Sequence, residues 1–242
     1  MTERWGRGLA HVTTRQDIQL HYLEIEETVE LQRLLALSGV TTVGACSDTV
    51  RNVTASHYAG VLEDEVFDIT PHAEIVSEHF LYHPHNRKLP RKFKIALAIP
   101  PQNDIDVFAH DLGFIAIIEN GAIAGYNVCV GGGMGMTHKV SATFPRLSDV
   151  VGFCTPAEVL EIAEHAMCIQ RDYGDRADRA HARFKYTIED RGTAWFCDEL
   201  ARRRGRALEA ARTFQFESSA DRLGWLQGAD GCWHYTILIE MG

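Results

Sequence analysis

The sequence predicts an α+β fold, and three observations carry that prediction. Hairpin signals and amphipathic helical stretches follow one another irregularly, without the strand–helix alternation of a parallel α/β winding. Asn120-Gly121 separates two apolar runs, 114–119 and 122–130, which is the strongest short-range hairpin signal a sequence offers. Two further strand-like runs, 222–227 and 233–240, are joined around Asp230-Gly231 with no helix between them.

The elements follow in order. Residues 12–23 read as one strand: Arg15, Asp17, Gln19 and His21 alternate with Gln16, Ile18, Leu20 and Tyr22, so a polar set and a mostly apolar set face opposite ways. A helix over 27–38 carries leucines at 31, 34, 35 and 37 and stops at Gly39. The segment 48–56, DTVRNVTAS, reads as a polar loop. Thr70-Pro71 supplies an N-cap and a first helical position for a helix to about Tyr82. A strand over 93–99 is closed by Pro100-Pro101. Thr155-Pro156-Ala157-Glu158 fits a capping box whose helix runs to Tyr173 and stops at Gly174. A last helix, 192–204, ends at Gly205.

Composition narrows the function. The chain has 242 residues, 45% of them hydrophobic, which suits a sizeable core and one or two domains. No apolar run approaches the length of a membrane span, and Met1 to His11 lacks the apolar stretch of a signal peptide, so a soluble, cytoplasmic protein is expected. A net charge of −9 argues against a nucleic-acid partner. The six cysteines lie far apart and form no C-x-x-C pair, so they read as reduced thiols rather than as zinc or cluster ligands.

Against this acidic background, RKLPRKFK (87–94) places five basic residues in eight positions. A solvated face is one reading. The other starts from Lys92 and Lys94, which share a strand face at i, i+2 and repel each other unless an anion lies between them. Pro100-Pro101-Gln102-Asn103-Asp104 is a turn, or a set of amide donors facing a ligand. GGGMG (131–135) follows a strand but opens no amphipathic helix, so its glycines suit close backbone approach to a large flat ligand better than a dinucleotide loop. His79, His83 and His85 have metal-like spacing, but a surface cluster at a helix end is the simpler reading, and no metal ligand is assigned.

Together the segments TTRQDIQLH (13–21), RNVTAS (51–56), LPRKFK (89–94), IPPQNDID (99–106), ENGAIAGYNVCVGGGMGMTH (119–138), TFPR (143–146), QRDYGDRADRAHARFKYTIEDRG (170–192), DRLGWLQG (221–228) and WHYTILIE (233–240) closely resemble the sirohaem-containing sulfite and nitrite reductases, best the sulfite reductase haemoprotein. The resemblance implies a sirohaem-reductase α/β domain at 39–205, flanked by the end of one ferredoxin-like half-domain at 1–38 and the start of another at 206–242. It places the strand at 12–23 and those at 222–240 in one sheet. It implies multi-electron reduction of sulfite to sulfide, with sirohaem and a 4Fe-4S cluster as cofactors and a flavoprotein or ferredoxin as electron donor. Arg51, Lys92 and Lys94 match the basic residues around the substrate anion. Arg15, Gln19 and His21 match strand residues facing the macrocycle. Asn52, Gln102, Asn103, Gly131, Gly132 and Gly133 match segments that line it. Sirohaem is a polycarboxylate, which explains a pocket rich in cations and amide donors.

Three departures accompany the resemblance. The family's cluster cysteines, in short-spaced pairs, have no match here. A further substrate-pocket arginine lies upstream of Met1 in the family, and Lys139 stands out of its usual order. The chain alone is therefore expected to be inactive. A sirohaem nitrite reductase and a non-catalytic tetrapyrrole-binding module remain the alternatives.

Overall fold

The parallel and antiparallel strands of the central sheet have different sequence origins. The computed structural model describes residues 1–240. Strands β3 (Val50–Thr54), β4 (Phe93–Ala98) and β5 (Leu112–Glu119) run parallel, and β6 (Ala122–Val130) and β7 (Asp149–Cys154) extend the sheet antiparallel, in the order β3-β4-β5-β6-β7. The β5–β6 hairpin turns at Asn120 and Gly121, with φ 52° and 75°, the left-handed pair that Asn-Gly supplies at little cost. Phe114 pairs with Val128 and Leu112 with Val130.

Both faces of β4 and β5 are covered, which is why they read as continuous apolar runs. Phe93, Ile95, Leu97, Phe114 and Val128 point to the face packed by α3 (Thr70–Leu81), α4 (Val159–Tyr173), α5 (Phe184–Arg191) and α6 (Thr193–Arg204). From these helices Val76, Phe80, Ile162, Met167, Phe184 and Phe196 complete the core. Ala96, Ala98, Ile115 and Cys129 face the other way, against Phe108, Phe214 and Phe216. Outside this body stand α1 (Thr2–Trp5), the hairpin β1 (His11–Val12) with β2 (Ile18–Gln19), α2 (Thr28–Leu37) and the hairpin β8 (Gly224–Gln227) with β9 (Trp233–Thr236).

The α+β class, the Asn-Gly hairpin, the capping box at Thr155 and the main helices stand as the sequence predicts. Four expectations are overturned. Residues 12–23 are not one strand. Thr13 Oγ1 accepts from the amides of Arg15 (3.3 Å) and Asp17 (3.2 Å), and Gln16 takes φ 59°, so the chain folds back into a hairpin of two rungs. This hairpin and β8–β9 form separate two-stranded sheets, so the expected common sheet is absent among the described residues. DTVRNVTAS is not a loop: Val50, Val53 and Thr54 pair with Phe93, Ile95 and Ala96 as β3. Thr70 is the first helical residue rather than the cap, and Asp68 Oδ1 accepts its amide at 2.8 Å. Strand β7 and helix α5 carry no periodicity that announced them.

Gly132 has no room for a side chain. An added Cβ would lie 2.2 Å from the Phe108 carbonyl oxygen and 2.6 Å from that of His110. Gly132→Ala is therefore expected to destabilise the fold by about 1–3 kcal/mol, read as a lower midpoint in urea denaturation with an unchanged slope.

Candidate functional site

A cavity of about 550 Å³ opens where β3 and β4 begin. The turn and second strand of the N-terminal hairpin bring Arg15, Gln16, Asp17 and Gln19 to it, β3 brings Arg51 and Asn52, and the entry to β4 brings Lys92 and Lys94. Ser77, Phe80 and Leu81 of α3 form another wall. Alternation along β4 explains the lysines: the helical face takes Phe93 and Ile95, leaving Lys92 and Lys94 to the opposite one.

The two arginines are held by the backbone and by a neighbouring side chain. Arg15 donates from Nε to Asn52 Oδ1 (3.2 Å) and from Nη2 to the Asn52 carbonyl, while Asn52 Nδ2 donates back to the Arg15 carbonyl. Arg51 donates to the carbonyls of Ala45 and, at 2.9 Å, Ser47. Arg15 Nη1 and Arg51 Nε are buried and have no hydrogen-bond partner. The Lys94 amide donates to Asp111 Oδ2 at 2.9 Å. Asp111 is fully buried, and Arg183 Nη2 donates to both its oxygens at 3.0 Å.

The electrostatics follow from crowding and burial. Burial first, then Arg15 and Arg183, brings the Lys94 ammonium down to about 8. Burial lowers Arg15 to about 10 against the pull of Asp111. Lys92 is lowered by burial and by Arg91, and Arg51 mainly by burial. Four cations and one carboxylate, Asp17, line the cavity. Two guanidinium atoms are orphaned there, and every such atom is a donor. This donor set fits an anion or the carboxylates of a large cofactor.

The remaining site candidates lie elsewhere. His21 is exposed beside His11 and Tyr22. Gln102 bridges to Ser218 and borders a separate cavity of about 70 Å³. Asn103 is buried, receiving the Val107 amide at 2.9 Å and donating to Ser219 at 3.5 Å. Gly131, Gly132 and Gly133 are buried against the chain itself: a Cβ at Gly131 would meet Ile188 at 2.8 Å, and one at Gly133 would meet Arg183 and Lys185 at 3.1 and 3.2 Å. Their close approach is to protein. The thiols of Cys46, Cys129, Cys154, Cys168, Cys197 and Cys232 are free and do not converge, so they do not fit a cluster.

Residues 46–208 match the nitrite and sulphite reductase 4Fe-4S domain, and residues 1–38 match the nitrite/sulfite reductase ferredoxin-like half domain. The chain belongs to the nitrite and sulfite reductase family. It is 44% identical to the sulfite reductase (NADPH) hemoprotein beta-component of Chromohalobacter salexigens, over 99% of this chain and 46% of that one. It is 41% identical to the protein of the same name in Geobacillus kaustophilus, over 100% of this chain and 47% of that one. The chain thus spans about half the length of the curated relatives it matches. Among solved structures, NirA of Mycobacterium tuberculosis superposes with a TM-score of 0.85 at 30% identity, covering 96% of this chain and 41% of that one. Dissimilatory sulfite reductase I shares the fold, with a TM-score of 0.63 at 12% identity, over 91% of this chain and 67% of that one. Among the described residues no helix is long and apolar enough to cross a membrane.

Asp111, Arg183 and Lys185 escaped the reading of the sequence. Lys185 is fully buried and donates to the carbonyls of Gly133 (3.0 Å), Gly135 (2.6 Å) and Phe144. A lone carboxylate at the head of the apolar run 112–118, and two cations flanking Phe184, were the available signals.

Two outcomes follow. Sulfate is a dianion across the neutral range, so its affinity should fall as pH rises through about 8, where the free Lys94 ammonium loses its proton. Calorimetric titration from pH 7 to 9 measures this, and Lys94→Met should flatten the profile. Asp111→Asn leaves Arg183 without its counter-charge and should cost about 3 kcal/mol in denaturant unfolding.

Proposed function

We propose that this chain is the sirohaem- and substrate-gripping part of a sulfite reductase that reduces sulfite to sulfide. The observation that carries the reading is the convergence of Arg15, Arg51, Lys92 and Lys94 on one cavity in a chain of net charge −9. In this reading 1–38 is the end of a ferredoxin-like half-domain, 39–205 the sirohaem-binding domain and 206–242 the start of the second half-domain. The NADPH in the relatives' names favours a flavoprotein over ferredoxin as electron donor, and the six unpaired cysteines suit the cytoplasm.

In this reading Arg15, with its free Nη1, and Gln19 and Asn52 hold carboxylates of the macrocycle. Sirohaem, held by these residues, would relay electrons from the donor to the sulfur. Arg51, Lys92 and Lys94 surround the sulfite oxygens. Their charge binds the anion and stabilises negative charge as S–O bonds weaken. Lys94 Nζ, brought down to about 8, keeps its proton at neutral pH yet releases it readily, which suits a donor to a departing oxygen. No cysteine of this chain is assigned to a cluster.

The test uses the full-length protein loaded with its cofactors. Lys92→Met and Lys94→Met keep the stems and remove the charges, and each should cost on the order of 2.7–4 kcal/mol in kcat for sulfite. Arg51→Lys should also slow turnover, because an ammonium cannot reproduce the two-pronged guanidinium. Parental sulfite rates in both methionine variants would sink the reading, and wild-type turnover of nitrite without sulfite would redirect it to the nitrite branch of the family.

A further inference from the structure

At the C-terminal end of α3, two imidazoles face one carboxylate. His79 lies in the last turn of α3, and His83 lies one turn later, its amide still donating to the Phe80 carbonyl at 3.2 Å. Their ring centroids are 5.1 Å apart. Glu164 reaches them from α4, with Oε2 at 3.2 Å from His79 Nε2 and Oε1 at 3.3 Å from His83 Nε2. One ligand atom from each of the three residues lies within 4.8 Å of the others.

We propose that His79, His83 and Glu164 form a binding site for a divalent transition-metal ion of the zinc class, clasping α3 to α4. The distances suit such an ion. Zinc binds imidazole nitrogen and carboxylate oxygen at roughly 2.0–2.2 Å, so neighbouring ligands of a tetrahedral centre stand about 3.3–3.5 Å apart. Each imidazole nitrogen stands within about a tenth of an ångström of that edge from its own oxygen of Glu164, His79 from Oε2 and His83 from Oε1, so both nitrogens are within reach of one ion beside the carboxylate. Two imidazoles with one carboxylate select zinc-class metals over calcium or magnesium, which favour all-oxygen sites.

The alternative, a plain ion pair, explains less. His79 Nε2 is buried and makes no hydrogen bond of acceptable geometry. Glu164 pairs with no lysine or arginine among the described residues, whereas Glu158, Glu161 and Glu199 all do. The three side chains are 28%, 13% and 37% exposed, which leaves an entry path and room for water as the fourth ligand. Metal on His83 Nε2 requires the proton on Nδ1, and the one contact that this displaces, from the His85 amide, is a long 3.4 Å. The ion would brace the end of a helix that also carries Ser77, Phe80 and Leu81 into the anion cavity. This inference does not depend on the proposed reductase function.

The full-length protein, stripped with a chelator of exchangeable divalent ions, is titrated with zinc chloride by calorimetry and melted with and without zinc. One zinc site and a zinc-dependent rise in Tm are expected. His83→Ala and Glu164→Gln should each weaken that site by at least about tenfold and remove the rise in Tm. Glu164→Gln keeps the shape of the residue, so an unchanged Tm without zinc separates loss of a ligand from loss of fold. His57→Ala, an exposed histidine outside the cluster, should bind zinc as the parent does. Absence of zinc binding, its survival in both ligand variants, or its equal loss in His57→Ala overturns the proposal.

Discussion

Asp111 has no access to solvent, and removing a carboxylate from water costs several kcal/mol unless charged and hydrogen-bonded partners replace the solvent. Its partners come from three places in the chain. The Lys94 amide from β4 and the Arg183 guanidinium from the entry to α5 meet its side chain, and the Gly131 amide at the exit of β6 meets its carbonyl at 3.0 Å. One buried charge therefore sets where β4 begins and where α5 docks, while the carbonyl of the same residue fixes where the glycine segment leaves the sheet. The cavity wall inherits its shape from that arrangement. Lys94 can present an ammonium to the cavity because its own backbone is fixed from behind by an opposite charge.

The same arrangement resolves a conflict of signs. Like charges on Arg15, Arg51, Lys92 and Lys94 repel, and the chain tolerates them because Asp111 offsets them from beneath and Asp17 from the rim. What is left over points outward. A positive hollow in a protein of net charge −9 attracts small anions locally while the rest of the surface repels them. Capture is therefore confined to the cavity mouth.

Much of this was readable from local chemistry. Asn120-Gly121 fixes a left-handed turn by itself, and Lys92 and Lys94 share a face because alternation along a strand is geometric. What escaped the sequence was non-local. Thr13 and Gln16 break the alternation of 12–23 through a side-chain hydrogen bond and one left-handed residue, and neither alters the polar–apolar pattern. The segment around Arg51 looks polar because its strand borders the cavity, so its pairing with β4 shows only in three dimensions. Arg51 was placed with the lysines by likeness to a family rather than by any rule of spacing. His21 and Gln102, singled out in the same way, stand outside the cavity, and Asn103 and the three glycines serve the packing of the chain itself.

The hairpin that delivers Arg15 has only two rungs, and the bonds linking its turn to the sheet run to Asn52 and Ala55. Elements with so few buried contacts open at low free energy, far below global unfolding. One wall of the cavity is therefore expected to open at lower free energy than the strands behind it. A ligand gripped by Arg15 fastens the hairpin as the hairpin fastens the ligand, so the residence time of whatever fills the hollow and the amide protection of residues 11–19 rise and fall together.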